Sequence, residues 1–235
     1  RLRSIGSGAL VTALLQSSSA VSLMVLAFVG AGVMNMENAI GVIMGSNIGT
    51  TLTAWIIATI GFKVKIEALA LPFIGMGALG LIFFKPASKP FLVIKLLMGF
   101  GFLFLGLDFM KVSVENFTQT FSLERFPDYG LWFYLIIGTL ITALMQASAA
   151  TIAIVLTALS TGLITFNIGA AMVIGANIGT TITVLLGAIG GVQAKKRVSL
   201  SHLIFNVVTG GVAFAALPAL VWVVTIFVDI RSDSL

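Results

Sequence analysis

The stretch TALLQSSSA, residues 12–20, interrupts a long apolar segment with a glutamine and three serines. A near copy, TALMQASAA, occupies residues 142–150. Polar backbone that leaves a helix inside hydrocarbon is tolerated only where it is buried in protein or lines water. We therefore expect each interruption to be a break between two helices, and we call residues 16–19 the first break and residues 146–149 the second break.

The composition places both breaks in a membrane protein. Of the 235 residues 59 % are apolar and only 9 % are charged, and the mean hydropathy is +1.15. A soluble domain carries about 25 % charged residues, so this chain predicts an all-α polytopic membrane protein. Cysteine is absent, which excludes disulfides and thiolate metal sites. The net charge of +5 comes from short loops between apolar spans and favours membrane topology over nucleic-acid binding.

The chain is duplicated with an offset of 130 residues. Between residues 8 and 53 the shifted sequence gives 18 identities in 46 positions, and GSNIGTTLT from 45 falls on GANIGTTIT from 175. We predict a transmembrane repeat at 1–115, a connecting loop at 116–130 and a second repeat at 131–235. The second repeat is expected to be truncated, since 198–228 is either one long crossing or one crossing plus a shortened one.

The orientation of the two repeats stays open on the residues alone. Segments 4–15 and 20–33 would each rise about 18–21 Å, less than the roughly 30 Å of a bilayer core. They suit a re-entrant hairpin, which leaves three crossings between the copies and inverts the second. A full crossing would leave the copies parallel, and the distribution of Lys and Arg is compatible with both.

Polar side chains at the breaks predict a binding site for an anion together with a cation. Serine is a helix N-cap residue, so residues 17–19 are expected to start a second half-helix whose free N–H groups and positive dipole end attract an anion. Free carbonyls at the end of the preceding half-helix suit Na⁺. Asn47, Asn177 and the paired threonines that follow them add amides and hydroxyls. Gly45 with Gly49, and Gly175 with Gly179, form GxxxG pairs that taken alone are more typical of helix-packing faces than of binding sites.

No charged side chain lies in these motifs, so catalysis is not expected. An anion there would be balanced only by helix ends and by a co-bound cation, which is a physical route to obligatory ion coupling.

The residues QSSSA and QASAA, each followed about 28 positions later by G(S/A)NIGTT, resemble the type II sodium–phosphate cotransporters and their bacterial relatives. The segments LLMGFGFLFLGLDFM (96–110) and SHLIFNVVTG (201–210) are similar to that family as well. The resemblance implies inverted repeats with re-entrant hairpins and discontinuous transmembrane helices. It also implies Na⁺-driven symport of inorganic phosphate by alternating access, across the plasma membrane (the inner membrane of the cell).

The candidate site residues follow from the motifs and the resemblance together. For phosphate they are Gln16, Ser17, Ser18, Ser19, Gln146, Ser148, Asn47 and Asn177. For sodium they are Gln16, Ser18, Thr50, Thr51, Gln146, Ser148, Thr180, Thr181 and Asp108. Asp108 could instead pair with Lys111 at the water interface. Na⁺ is the only metal expected, and no cofactor and no nucleic acid are expected.

Several alternatives remain at this stage. The cargo could be another small anion such as sulfate, arsenate or a dicarboxylate, or the motifs could line an ion channel. A non-transporting sensor is a further hypothesis, and a homodimer is a candidate assembly. His202 and Asn206 share a helix face, for which a structural hydrogen bond between helices is preferred over proton coupling.

Overall fold

The computed structural model describes residues 1–63, 66–86, 88–120 and 129–228, without the side chains of 60–63, 66–68, 111, 114, 115, 117–120, 227 and 228. Within these residues the regular structure is entirely helical, which confirms the all-α prediction. In chain order the helices are α1 (Leu2–Leu15), α2 (Ser18–Gly30), α3 (Met36–Lys63), α4 (Ile66–Phe83), α5 (Lys89–Thr120), α6 (Gly130–Met145), α7 (Ser148–Ser160), α8 (Phe166–Gly179), α9 (Thr181–Ala188), α10 (Gln193–Ala215) and α11 (Leu217–Val228).

Four stretches in the described part of the chain are long and apolar enough to cross a membrane. They are Met36–Thr59, Lys89–Met110, Phe166–Ala188 and Gln193–Ala215. The stretch formed by α8 and α9 has the largest buried share of the four. Helix α10 ends at Ala215 and α11 begins at Leu217, so residues 198–228 comprise two helices separated by Ala216.

The helices group into two compact units. The first unit comprises residues 1–55 and 126–235, and the second comprises residues 56–125. In the second unit α4 packs along α5, with the rings of Phe73 and Phe104 6.1 Å apart. Both predicted breaks and both Asn motifs lie in the first unit, so everything that follows concerns that unit unless stated otherwise.

The two sequence copies contact each other in the first unit. Helix α2 from the first copy packs against α9 and α10 from the second. Its buried aliphatic residues share one core with residues from α3, α9 and α10. The cluster consists of Val21, Val25, Leu26, Val29, Ala39, Ile43, Val184, Ala188 and Val198.

Glycines allow the same close helix contact in each copy. A Cβ on Gly45 of α3 would overlap the carbonyl oxygen of Ile5 in α1, and a Cβ on Gly175 of α8 would overlap that of Leu135 in α6. Gly8 and Gly138 make the reciprocal approach from α1 and α6. The GxxxG pairs are therefore packing faces, as small residues are at helix contacts in membranes.

Candidate binding site at the two helix breaks

The first break has the geometry that the sequence predicts. Gln16 ends α1 in the left-handed conformation (φ 54°, ψ 27°), and its N–H donates to the carbonyl oxygen of Thr12 at 2.7 Å. Ser17 is extended (φ −147°) and caps α2, since its hydroxyl accepts from the N–H of Ala20 at 3.2 Å. The prediction that the serines begin the second half-helix is confirmed.

The second break repeats the backbone but not the cap. Gln146 adopts φ 54° and ψ 25°, and its N–H donates to the carbonyl oxygen of Thr142 at 2.7 Å. Ala147 occupies the N-cap position and has no side-chain acceptor. The N–H groups at the start of α7 thus lack the side-chain partner that Ser17 provides in α2, which leaves one more donor for a ligand.

The two breaks meet in space. The hydroxyl of Ser19 donates to the backbone carbonyl oxygen of Gln146 at 3.5 Å, across 127 positions of the chain. Ser18 is half-buried as the first residue of α2, and its counterpart Ser148 is buried with 7 % exposed. The starts of α2 and α7 are therefore adjacent, and two positive dipole ends lie near one point.

The two glutamines differ in how their side chains are held. The Gln16 amide donates to the carbonyl oxygen of Ala13, and its Oε1 accepts from the hydroxyl of Thr53 at 2.7 Å. Gln146 makes no side-chain hydrogen bond to any residue that the structure describes, and Thr183, the counterpart of Thr53, has a buried hydroxyl without a described partner. The side chain of the first glutamine is therefore held by hydrogen bonds to protein, whereas that of the second has no described partner.

The hydroxyls of the paired threonines donate to backbone carbonyl oxygens three or four residues earlier in the chain. Thr51 donates to the carbonyl oxygen of Ile48, and Thr181 to that of Ile178, both at 2.7 Å. Thr50 and Thr180 do the same at 3.0 and 2.6 Å. Each hydroxyl keeps lone pairs but has no free proton, so it suits a cation better than an anion.

Asn47 and Asn177 line one cleft of about 470 Å³. Its other lining residues are Ile5, Met44, Ile48, Thr51, Phe205 and Thr209. Gln16, Gln146 and the break serines are not among them, and six residues, or about 9 Å of helix, separate Asn47 from Thr53. Of the predicted site residues, Asn47, Thr51 and Asn177 therefore line the cleft, and those at the breaks lie apart from it.

Asn206, which lies outside the break and Asn motifs, fixes the orientation of the Asn47 side chain. The amide Nδ2 of Asn47 donates to Oδ1 of Asn206 at 2.8 Å, and Nδ2 of Asn206 donates to the carbonyl oxygen of His202 at 2.9 Å. The expected hydrogen bond between helices is thus made by Asn206. His202 is buried, and neither of its ring nitrogens has a partner among the described residues, so the bond that the structure shows on this face is the one made by Asn206.

Asp108 lies in α5 of the second unit and is half-buried. The side chain of Lys111, with which the sequence pairs it, lies outside the described residues. Of the predicted loop at 116–130, residues 121–128 lie outside the described residues, and residues 116–120 belong to α5.

The counterpart hydroxyls Thr12 and Thr142 give a stability test of the break geometry. Thr142 donates to the hydroxyl of Thr151 at 2.8 Å, whereas position 21, the counterpart of Thr151, is valine and leaves the Thr12 hydroxyl without a described partner. We expect Thr142→Val to lower the free energy of unfolding by about 1 kcal/mol, because it leaves the buried hydroxyl of Thr151 without this hydrogen bond. Thr12→Val should be neutral or stabilising, because the valine removes a polar group that is already unpaired.

Thermal unfolding of the purified variants in detergent would measure this difference. A larger loss of melting temperature for Thr12→Val than for Thr142→Val would contradict the assigned hydrogen bonds.

Comparison with known proteins identifies the family. The family described as Na+/Pi-cotransporter matches residues 1–112 and 129–226, which together cover most of the chain. The chain belongs to the Na+/Pi-cotransporter family. Membership of this family, together with the four long apolar stretches, identifies a multi-pass membrane protein.

Three relatives illustrate the range of this cotransporter family. "Uncharacterized protein YqeW" of Bacillus subtilis is 34 % identical over 206 residues, which cover 83 % of this chain and 62 % of YqeW. "Putative inorganic phosphate export protein YjbB" of Escherichia coli is 28 % identical over 203 residues, or 84 % of this chain and 36 % of YjbB. "Sodium-dependent phosphate transport protein 2A" of Oryctolagus cuniculus is 47 % identical over 51 residues, or 22 % of this chain and 8 % of that protein.

The chain thus spans less than two thirds of the length of these curated relatives. No solved structure matches it.

Proposed function

We propose that this protein carries inorganic phosphate across the plasma membrane (the inner membrane of the cell) together with Na⁺, by alternating access between two inverted repeats. The observation that supports this most is the contact of Ser19 with Gln146, which brings the two polar breaks to one point. Family membership supports the choice of phosphate and sodium as the pair of solutes.

The breaks supply hydrogen-bond donors for phosphate without a cationic side chain. The starts of α2 and α7 present backbone N–H groups, and Ser18 and Ser148 stand at the first position of each helix. The unbonded amide of Gln146 adds a further donor. Ser17, Ser19 and Gln16 complete the phosphate set from the first copy.

Sodium would balance the charge of the anion. The motifs carry no cationic side chain, and two helix ends supply only about half an elementary charge each. The carbonyl oxygens at the ends of α1 and α6 and the lone pairs of Thr50, Thr51, Thr180 and Thr181 are oxygen ligands of the kind that Na⁺ takes in transporters. Phosphate would therefore bind poorly until Na⁺ is present, which is the basis of the coupling.

The short helices on each side of the breaks favour re-entrant hairpins. Helix α1 has 14 residues and α2 has 13, so each rises about 20 Å and ends within a bilayer core of roughly 30 Å. Three crossings between the copies, α3 and α5 together with the shorter 18-residue α4, would invert the second copy relative to the first and place the breaks near the midplane.

Phosphate export is a second candidate, favoured by the printed name of YjbB. The same site would serve both directions, because a coupled carrier moves its solutes along whichever gradient is the steeper. The two candidates differ in the direction in which the sodium gradient drives phosphate.

Uptake of radiolabelled phosphate into proteoliposomes tests the proposal. We expect accumulation with an inward Na⁺ gradient, and a loss of about tenfold in apparent phosphate affinity for Ser18→Ala and for Ser148→Ala. Removing a hydrogen bond to a charged ligand costs about 1.5–3 kcal/mol, and 1.4 kcal/mol is tenfold. The matched control is Ser160→Ala at the far end of α7, whose hydroxyl donates to the carbonyl oxygen of Thr157 and should have no effect.

Equal uptake with choline in place of Na⁺ would contradict symport. Net phosphate efflux from loaded proteoliposomes under an inward Na⁺ gradient would favour export. Normal uptake in both serine variants would place the site elsewhere.

A further inference from the structure

The orientation of the Asn47 amide is determined by chemistry alone. The carbonyl oxygen of His202 can only accept, so Asn206 must turn its NH₂ group toward it. Oδ1 of Asn206 then faces Asn47, which must present its own NH₂ group at 2.8 Å. Asn47 is left with its oxygen directed away from Asn206, and no described residue donates to that oxygen.

Two hydroxyls that line the cleft also have no proton left to donate to a ligand. Thr51 follows Asn47 by one helical turn on the same face of α3, and its proton goes to the carbonyl oxygen of Ile48. Thr209 follows Asn206 by three residues on α10, and its proton goes to the carbonyl oxygen of Phe205 at 2.7 Å. Asn47, Thr51 and Thr209 therefore offer the cleft lone pairs and no protons.

Such a lining repels an oxyanion and attracts a cation. None of the residues that line the cleft is charged, and the single amide whose orientation is not fixed by a hydrogen bond is that of Asn177, which can turn its oxygen inward. Amide and hydroxyl oxygens are ligands for hard cations such as Na⁺.

We propose that the cleft is a Na⁺ subsite formed by Asn47, Thr51, Thr209 and Asn177, and that Asn206 is a positioning residue that keeps the Asn47 oxygen pointing into it. This inference rests on the proposed function for the identity of the ion and moves Asn47 from the phosphate to the sodium group. Asn206 is fully buried and does not line the cleft, so it acts only through Asn47.

Equilibrium binding of ²²Na⁺ to the purified protein in a choline background tests the subsite without relying on transport. We expect the wild type to bind Na⁺ and Asn206→Leu to bind it about tenfold more weakly, because the freed amide of Asn47 can present its NH₂ group to the ion. Thr209→Val removes one ligand of nearly the same shape and should weaken binding in the same direction.

The matched control is Thr225→Val in α11. Its hydroxyl donates to the carbonyl oxygen of Trp222 at 2.7 Å, as Thr209 does to Phe205, but it does not line the cleft. We expect wild-type Na⁺ binding for this variant.

A positioning role predicts a specific rescue. A carboxylate at position 47 presents an oxygen in either orientation, so Asn47→Asp should restore Na⁺ binding to Asn206→Leu. In uptake assays Asn206→Leu should lower the apparent affinity for Na⁺. Its apparent affinity for phosphate, measured at saturating Na⁺, should change less than about twofold.

Wild-type Na⁺ binding by both Asn206→Leu and Thr209→Val, or no Na⁺ binding by the wild type, would overturn the inference. A folded Asn206→Leu that loses phosphate affinity at saturating Na⁺ would also overturn it. If the wild type binds Na⁺ as described but transports no phosphate, the proposed function fails while the subsite stands.

Discussion

Gly175→Ala is expected to lower the melting temperature of the protein by roughly 2–12 °C. The new Cβ would overlap the carbonyl oxygen of Leu135, which belongs to the backbone of α6 and cannot move aside as a side chain can. Forcing extra volume into a close-packed contact costs about 1–3 kcal/mol or more, and 1 kcal/mol shifts the melting temperature of a chain of this size by about 2–4 °C. Thermal unfolding followed by size-exclusion chromatography measures the effect.

Gly211→Ala is the control for helix propensity. A Cβ there meets nothing within 4 Å, so the change should leave the melting temperature unchanged or raise it. Gly45→Ala, the counterpart of Gly175 in the first copy, should be as harmful as Gly175→Ala, since it would overlap the carbonyl oxygen of Ile5. Equal stability of Gly175→Ala and Gly211→Ala would mean that α6 and α8 are not in this contact.

Gln146→Gly is expected to separate stability from transport. The residue adopts φ 54°, a conformation that costs a non-glycine residue about 1 kcal/mol or more and that glycine adopts freely at helix ends. Its side chain makes no hydrogen bond to the described residues, so the glycine variant should melt at the same or a higher temperature. Phosphate affinity should fall at least about tenfold, because a donor to the anion is lost.

The comparison with Gln16→Gly sharpens this prediction. The Gln16 side chain is bonded to Ala13 and Thr53, so its removal should cost both stability and transport. A Gln146→Gly variant that transports normally would remove the second glutamine from the site. A variant that unfolds would show that the glutamine serves the fold.

The sequence was sufficient to predict the two breaks because their causes are local. A glutamine followed by serines ends one apolar helix and caps the next, and the structure has that cap at Ser17. The offset of 130 residues predicts equal geometry at Gln146, and the two glutamines agree in φ. The glycine contacts were predictable as a packing face for the same reason, since four-residue spacing places both glycines on one side of a helix.

The contacts between distant segments were not predictable. Nothing in the pattern of QSSS and QASA indicates that Ser19 reaches Gln146, because that distance depends on how α2 packs against the second copy. The bond from Asn206 to Asn47 joins helices 159 positions apart in sequence. An asparagine within the apolar span of α10 pointed to a buried polar contact, but it could not identify the partner or the resulting direction of the Asn47 amide.

Equilibrium binding of radiolabelled phosphate to the purified protein, in Na⁺ and in choline, tests most directly whether the paired breaks hold the anion only together with sodium. We expect saturable phosphate binding in Na⁺ that weakens at least about tenfold in choline and in Ser148→Ala. Phosphate binding of equal affinity in both salts, or binding that is indifferent to Ser148, would contradict it.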